Sequence, residues 1–150
     1  TREFPPIRIL SSGVTVDPSC LAVYQGLKIG NKDKVVYIML KLSDDLQSIV
    51  VDKTSSDNNF DNFVAQLPQA EPRWAVYDFS FEKDDGGKRN RLVFLVWSPE
   101  SSHIKHKMVY AASREALRKP LDGISIEIQA TDLSEISYGI VHEKVSSRGN

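Results

Sequence analysis

From Ser102 to Leu121 the chain reads SHIKHKMVYAASREALRKPL, and its apolar positions fall on two stripes. At about 100° per residue, Val109, Tyr110, Ala116, Leu117 and Leu121 gather on one side of a helix, an ordinary core-facing stripe. Ile104, Met108, Ala111 and Ala112 fall nearly opposite, where solvent is expected. Lys105, Lys107, Arg114, Arg118 and Lys119 flank this second stripe, with Glu115 inside it. Soluble proteins keep unpartnered apolar patches small, and Met and Arg are enriched where proteins meet. The wheel leaves two readings open: a seam that receives a partner, or a helix buried on both sides between two layers.

The same reading of periods orders the rest of the chain. Asp17-Pro18 is a helix start, with Asp as N-cap and Pro at the first helical position; Cys20, Leu21, Tyr24 and Leu27 carry the helical period and Gly30 ends it. Lys34 to Leu42 (KVVYIMLKL) is nearly continuous apolar sequence, as in a strand covered on both faces. Asp44-Asp45 turns the chain into a partner strand from Ser48 to Thr54. Phe60, Phe63, Val64 and Leu67 mark a short amphipathic helix stopped by Pro68. Arg73 to Glu82 alternates with Ala75, Tyr77, Phe79 and Phe81 on one face, Lys83 to Gly87 forms a hairpin loop, and Leu92 to Trp97 is a second doubly buried strand. Beyond the long helix, Ile124, Ile126 and Ile128 alternate in a short strand. Asp132 and Glu135 form a capping box for a last helix carrying Leu133, Ile136 and Ile140. This order predicts an α/β domain of the α+β type, with a central mixed, mostly antiparallel sheet and helices on both faces. The strand after the long helix has the crossover length to join a neighbour in parallel.

At 150 residues the chain suffices for one domain. Residues 11–150 are expected to form it, with 1–10 (TREFPPIRIL) as a flexible extension or a remnant of expression. No apolar run approaches the roughly 18 residues of a membrane span. One cysteine, Cys20, excludes an internal disulfide and fits a reducing compartment. A net charge of -1 conceals a segregation: Lys88 to Lys119 holds eight basic residues against two acidic ones. That asymmetry predicts a partner with an acidic surface, whether protein, anionic lipid or nucleic acid.

Catalysis needs a constellation of groups, and the chain offers none. His103 and His106 are three apart, but no Cys accompanies them and His142 is far along, so a solvated helix N-terminus is favoured over a metal site. There is no G-x-S-x-G elbow, no phosphate-cradling loop and no G-x-G-x-x-G. Asp44-Asp45 and Asp84-Asp85 read as turn carboxylates. No cofactor is expected.

WSPESSHIKHKMVYAASREALRKPLDGI resembles the signature of the actin-depolymerising factor/cofilin family, and so do SSGVTV, WAVYDFSFE and QATDLSEISYGIVHEKV. The matches run in order from about Ser12 to Lys144, with a flavour closest to fungal members. The resemblance implies the actin-depolymerising factor homology fold, a mixed sheet between two helix pairs. It also implies a function: binding ADP-actin as monomer and along filament sides, severing and depolymerising filaments, and so driving actin turnover, without chemistry or a cofactor. Carried over by position, the monomer-and-filament surface is Ser12, Gly13, Val14, Lys105, Lys107, Met108, Arg114, Glu115, Arg118 and Lys119. The filament-only surface is Arg89, Arg91, Glu143 and Lys144. The implied protein is a monomer, cytoplasmic and cytoskeleton-associated at cortical actin, with the nucleus as a second location, and binds no nucleic acid and spans no membrane.

The resemblance favours the partner-binding reading of the outer stripe. It suggests two controls as well: phosphorylation of Ser12, adding about -1.5 to -2 charges beside the contact, and competition from phosphoinositide head groups at the basic surface. Departures from the family pattern are the ten residues before the SGV motif, Pro120, which is expected to end the long helix early, His142 at a usually apolar position, and Ser147 where a basic filament contact often lies. The competing readings are a non-severing relative that binds filaments or an actin-related nucleation complex, and a basic phosphoinositide- or nucleic-acid-binding module.

Overall fold

The computed structural model describes residues 13–30 and 34–147. Ser12 and the expected extension 1–10 lie outside the described residues. The elements are β1 (Thr15–Val16), α1 (Pro18–Ile29), β2 (Tyr37–Leu42), β3 (Ser48–Ser55), α2 (Phe60–Ala65), β4 (Arg73–Glu82), β5 (Lys88–Trp97), α3 (Ile104–Arg118), β6 (Ile124–Ala130), a 3-10 turn (Leu133–Ile136) and α4 (Tyr138–Ser146). The strands form one six-stranded sheet in the order β1-β3-β2-β4-β5-β6. Its four inner strands pair antiparallel, while β1 joins β3 and β6 joins β5 in parallel. The parallel β5–β6 pair follows from the α3 crossover, as the element order predicts. The parallel β1 ribbon carries no periodic signal in two residues.

Period-2 alternation divides the central strands between two cores. Tyr37, Met39, Ala75, Tyr77, Phe79, Val93 and Leu95 face α2 and α4, joined by Phe63, Val141 and Val145. Ile38, Leu40, Trp74, Val76 and Phe94 face α1 and α3, joined by Cys20, Tyr24, Tyr110 and Leu117. Each large side chain fully withdrawn from water contributes about 1.5–3 kcal/mol, so each face needs its helix pair. β2 and β4 sit in the middle and are the most completely buried, which explains the continuous apolar run in β2.

Local chemistry sets the helix boundaries. The Asp17 carboxylate accepts from Ser19 N at 3.1 Å, Pro18 occupies the first helical position, and Gly30 closes α1 at φ 70°. That left-handed backbone suits glycine. Asn59 caps α2 by accepting from Asn62 N.

Two expectations need correction. The Asp132/Glu135 capping box exists, but it caps only the 3-10 turn; Ser137, at φ -65° and ψ 158°, then breaks the chain and starts α4 with its own hydroxyl. The helix therefore buries Val141 and Val145, whereas Leu133 is exposed and Ile140 half-buried. In β6, the pairing with β5 skips Ser125. This bulge puts Ile124 in the α1/α3 core while Ile126 and Ile128 lie in the other. The three isoleucines do not share a face.

Candidate functional site

The long helix is α3, and the sheet holds it by one side only. Tyr110, Ser113 and Leu117 are buried beneath it. Tyr110 packs on Trp74 with ring centroids 4.5 Å apart, and its hydroxyl accepts from Leu42 N at 2.9 Å. The opposite side is open. Ile104 is 68% exposed and Met108 65% exposed, and Ala111 and Ala112 are exposed with them. The second stripe is thus a surface ridge, and the reading of a helix buried on both sides is set aside.

The N-terminus of α3 is capped by His103, whose Nδ1 accepts from Lys105 N at 3.1 Å. His103 and His106 stand ring to ring at 5.6 Å. Among the described residues no three His, Cys, Asp or Glu side chains cluster as a metal site. The Lys107 ammonium donates to the Glu100 carbonyl at 2.7 Å, which fixes it beside the ridge. Lys105, Glu115 and Lys119 are exposed. Pro120 does end α3 early: the last helical residue is Arg118, and Lys119 serves as C-cap with its N–H on Glu115 O.

Arg114 and Arg118 are less free than the wheel implies. Arg114 pairs with Glu127 of β6 and lies 3.5 Å from Glu115. Arg118 donates from Nη1 to Leu121 O at 3.0 Å, with Nε 3.7 Å from the same Glu127 carboxylate. No local pattern announces Glu127, since its contact depends on how β6 registers against β5.

β1 runs beside α3, and Gly13 and Val14 lead directly into that strand. Gly13 is exposed at φ 76°, a conformation glycine adopts without strain. Val14, expected to contact a partner, is only 3% exposed and packs in the α1/α3 core. Its side chain therefore anchors the segment and offers no contact surface.

The second group lies across the sheet. Arg91 stands opposite Phe79 and Arg89 opposite Phe81 in the β4–β5 hairpin, and both phenylalanines face α4. Cross-strand partners project on the same face, so both arginines lie on the α4 side. The Arg91 guanidinium sits 5.8 Å from the Phe81 ring centroid. Glu143 and Lys144 are exposed on α4. His142 nestles edge-on against Phe79 and Phe81 at 6.3 and 6.0 Å, an aromatic environment that accounts for a ring at this helix position. The described Ser147 ends α4 as its C-cap.

A sheet clad by two helix pairs, with one helix offering an oily ridge rimmed by cations, defines a protein-docking domain. The profile described as cofilin/tropomyosin-type actin-binding protein matches residues 13–146, and the chain belongs to that family. Cofilin of Mycosarcoma maydis is 53% identical over 137 residues, covering 91% of this chain and 97% of that protein. Cofilin of Saccharomyces cerevisiae is 43% identical over 136 residues, covering 90% and 94%. The crystal structure of Streptomyces griseoflavus cofilin matches with a TM-score of 0.84 at 46% identity, covering 92% of this chain and all of that one. The fold is that of the actin-depolymerising factor/cofilin proteins.

Proposed function

We propose that the protein binds actin, both as ADP-loaded monomer and along filament sides, and that it severs and depolymerises filaments. One observation carries this reading: in a chain of this family, Ile104 and Met108 stand exposed on α3 between basic residues. Met108 is a flexible apolar plug for a cleft. Lys105 and Lys107 meet carboxylates at its rim, where charge sets encounter rate and salt sensitivity. Arg89, Arg91, Glu143 and Lys144, on the other face, form a second contact used only when two actin subunits are adjacent. The protein acts as a monomer, in the cytoplasm and at cortical actin structures, with a nuclear pool. Phosphoinositide head groups compete for the basic surface. Cosedimentation with ADP-actin filaments, paired with time-lapse imaging of single filaments, tests the reading. Binding with fragmentation supports it, and filaments that neither bind the protein nor shorten would overturn it.

A further inference from the structure

Glu127 stands opposite Phe94 in the parallel β5–β6 register, and Phe94 belongs to the core beneath α1 and α3. The Glu127 carboxylate therefore rises behind α3, where it meets two arginines one turn apart. Arg114 Nη2 is in direct contact with it, and Arg118 Nε lies 3.7 Å away. The side chains are 31% exposed for Arg114, 32% for Arg118 and 23% for Glu127. Two guanidinium groups share this one carboxylate, and the exposed Glu115 lies 3.5 Å from Arg114 Nη1, so two positive and two negative charges meet here. Arg114 Nε and Glu127 Oε2 are both buried without a hydrogen-bond partner, so the two side chains meet as an ion pair.

We infer that Glu127 is a positioning residue, holding Arg114 and Arg118 from behind in the orientation that receives carboxylates of the docked partner. The inference rests on α3 being the actin-docking ridge. Ordering long side chains during association costs affinity, and order imposed in the free protein removes that cost. Glu127 also subtracts one charge from a basic rim, which by itself would slow encounter with an acidic surface. The two effects separate in kinetics. Neutralising Glu127 should leave association equal or faster, while dissociation accelerates because neither guanidinium is held.

The experiment uses the full chain with Glu127→Gln, which keeps size and removes charge. Three readouts are arginine side-chain NMR of the free protein, stopped-flow binding to fluorescent ADP-actin monomers, and the melting temperature. The expected result is resolved Arg114 side-chain N–H signals in the parent that average in the variant. With them should come a dissociation rate raised about tenfold, as for two side chains ordered on binding, an association rate not reduced, and little change in melting. Combined with Arg114→Ala, the losses should fail to add, since both remove the same contact. A variant that dissociates at the parent's rate, or whose losses add fully, overturns the role of Glu127. So does a variant whose weaker binding only tracks a large fall in melting temperature. If the parent itself does not bind actin, the docking reading fails with it, a result distinct from a binding parent and an unaltered variant.

Discussion

The Tyr110 hydroxyl accepts a hydrogen bond from Leu42 N at 2.9 Å, across 68 residues of chain. This bond fixes the inner side of α3 to the last residue of β2, and so fixes which side of the helix faces out. Burial pushes the Tyr110 phenol above its ordinary value near 10, so it stays protonated at neutral pH. Removing the acceptor leaves a buried N–H unpaired, which costs about 1–3 kcal/mol. Tyr110→Phe should therefore lower the urea midpoint without changing the slope, while leaving the exposed ridge and its actin affinity nearly intact. An unchanged midpoint would show that water replaces the hydroxyl.

The ridge makes the opposite prediction. Met108 is 65% exposed, so Met108→Ala removes little core packing and should shift the melting temperature barely at all. As the proposed central apolar contact, its truncation should weaken monomer binding by about 1–3 kcal/mol, or about 5- to 150-fold. The double variant Lys105→Ala/Lys107→Ala should also weaken binding, chiefly through a slower association whose deficit shrinks in salt. Stopped-flow titrations at two ionic strengths separate the two. A Met108 variant with parental affinity would remove the ridge from the interface.

Cys20 gives the fold an alkaline weakness. The thiol is wholly buried, donates to Ile49 O at 3.3 Å, and is pushed up to about 11 by burial, with Asp17 adding to the rise. In the unfolded chain it ionises near its ordinary value of 9. The unfolded state thus sheds its proton first as pH rises. The contribution is complete below pH 9 and is lost progressively up to about 11. Urea midpoints should fall across that window in the parent and fall less steeply in Cys20→Ala. The thiol should also resist alkylation at neutral pH until the protein is unfolded.

Much of this architecture is written locally, because caps and periods act within a few residues. Asp17-Pro18 and Gly30 bound α1 as expected, and the alternation that puts Ala75, Tyr77, Phe79 and Phe81 on one face assigns β4 correctly. What the chain conceals is decided by distant partners. The β6 bulge at Ser125 exists only against the β5 register, and it sends Ile124 to a different core from Ile126. The capping box was legible, yet Leu133, Ile136 and Ile140 keep a helical spacing straight across the break at Ser137, so periodicity could not see it. Val14 lies within a contact motif but is buried, because just ahead of β1 its side chain packs into the α1/α3 core. The outward stripe of α3 was readable from the wheel; the carboxylate behind its arginines was not.

Ser12, outside the described residues, precedes Gly13 and Val14, which lead into β1 beside α3. By the family resemblance Ser12 lies beside the actin contact, where a phosphate would add about -1.5 to -2 charges. Ser12→Glu should reduce monomer and filament binding together, measured by titration and cosedimentation, with no loss of thermal stability. A variant that binds as the parent does would exclude phosphorylation at this serine as an off-switch.

The two faces of the sheet make the sharpest division. Arg89 and Arg91 project with Phe81 and Phe79 toward α4, whereas Lys105, Lys107 and Met108 belong to α3, which packs on the other face. On the proposed two-face arrangement, a monomer docked on the α3 ridge would leave the hairpin arginines unused, while a filament would present a second subunit to the far face. Arg89→Ala/Arg91→Ala should therefore keep monomer affinity within about twofold, the level at which changes outside a contact usually lie. It should also abolish filament cosedimentation and severing. The Arg91 guanidinium rests over Phe81 at 5.8 Å, a contact of about 0.5–1 kcal/mol at an exposed site, so a small drop in melting temperature is expected as well. Equal loss of monomer and filament binding would place the hairpin in the shared interface and undo the two-face arrangement.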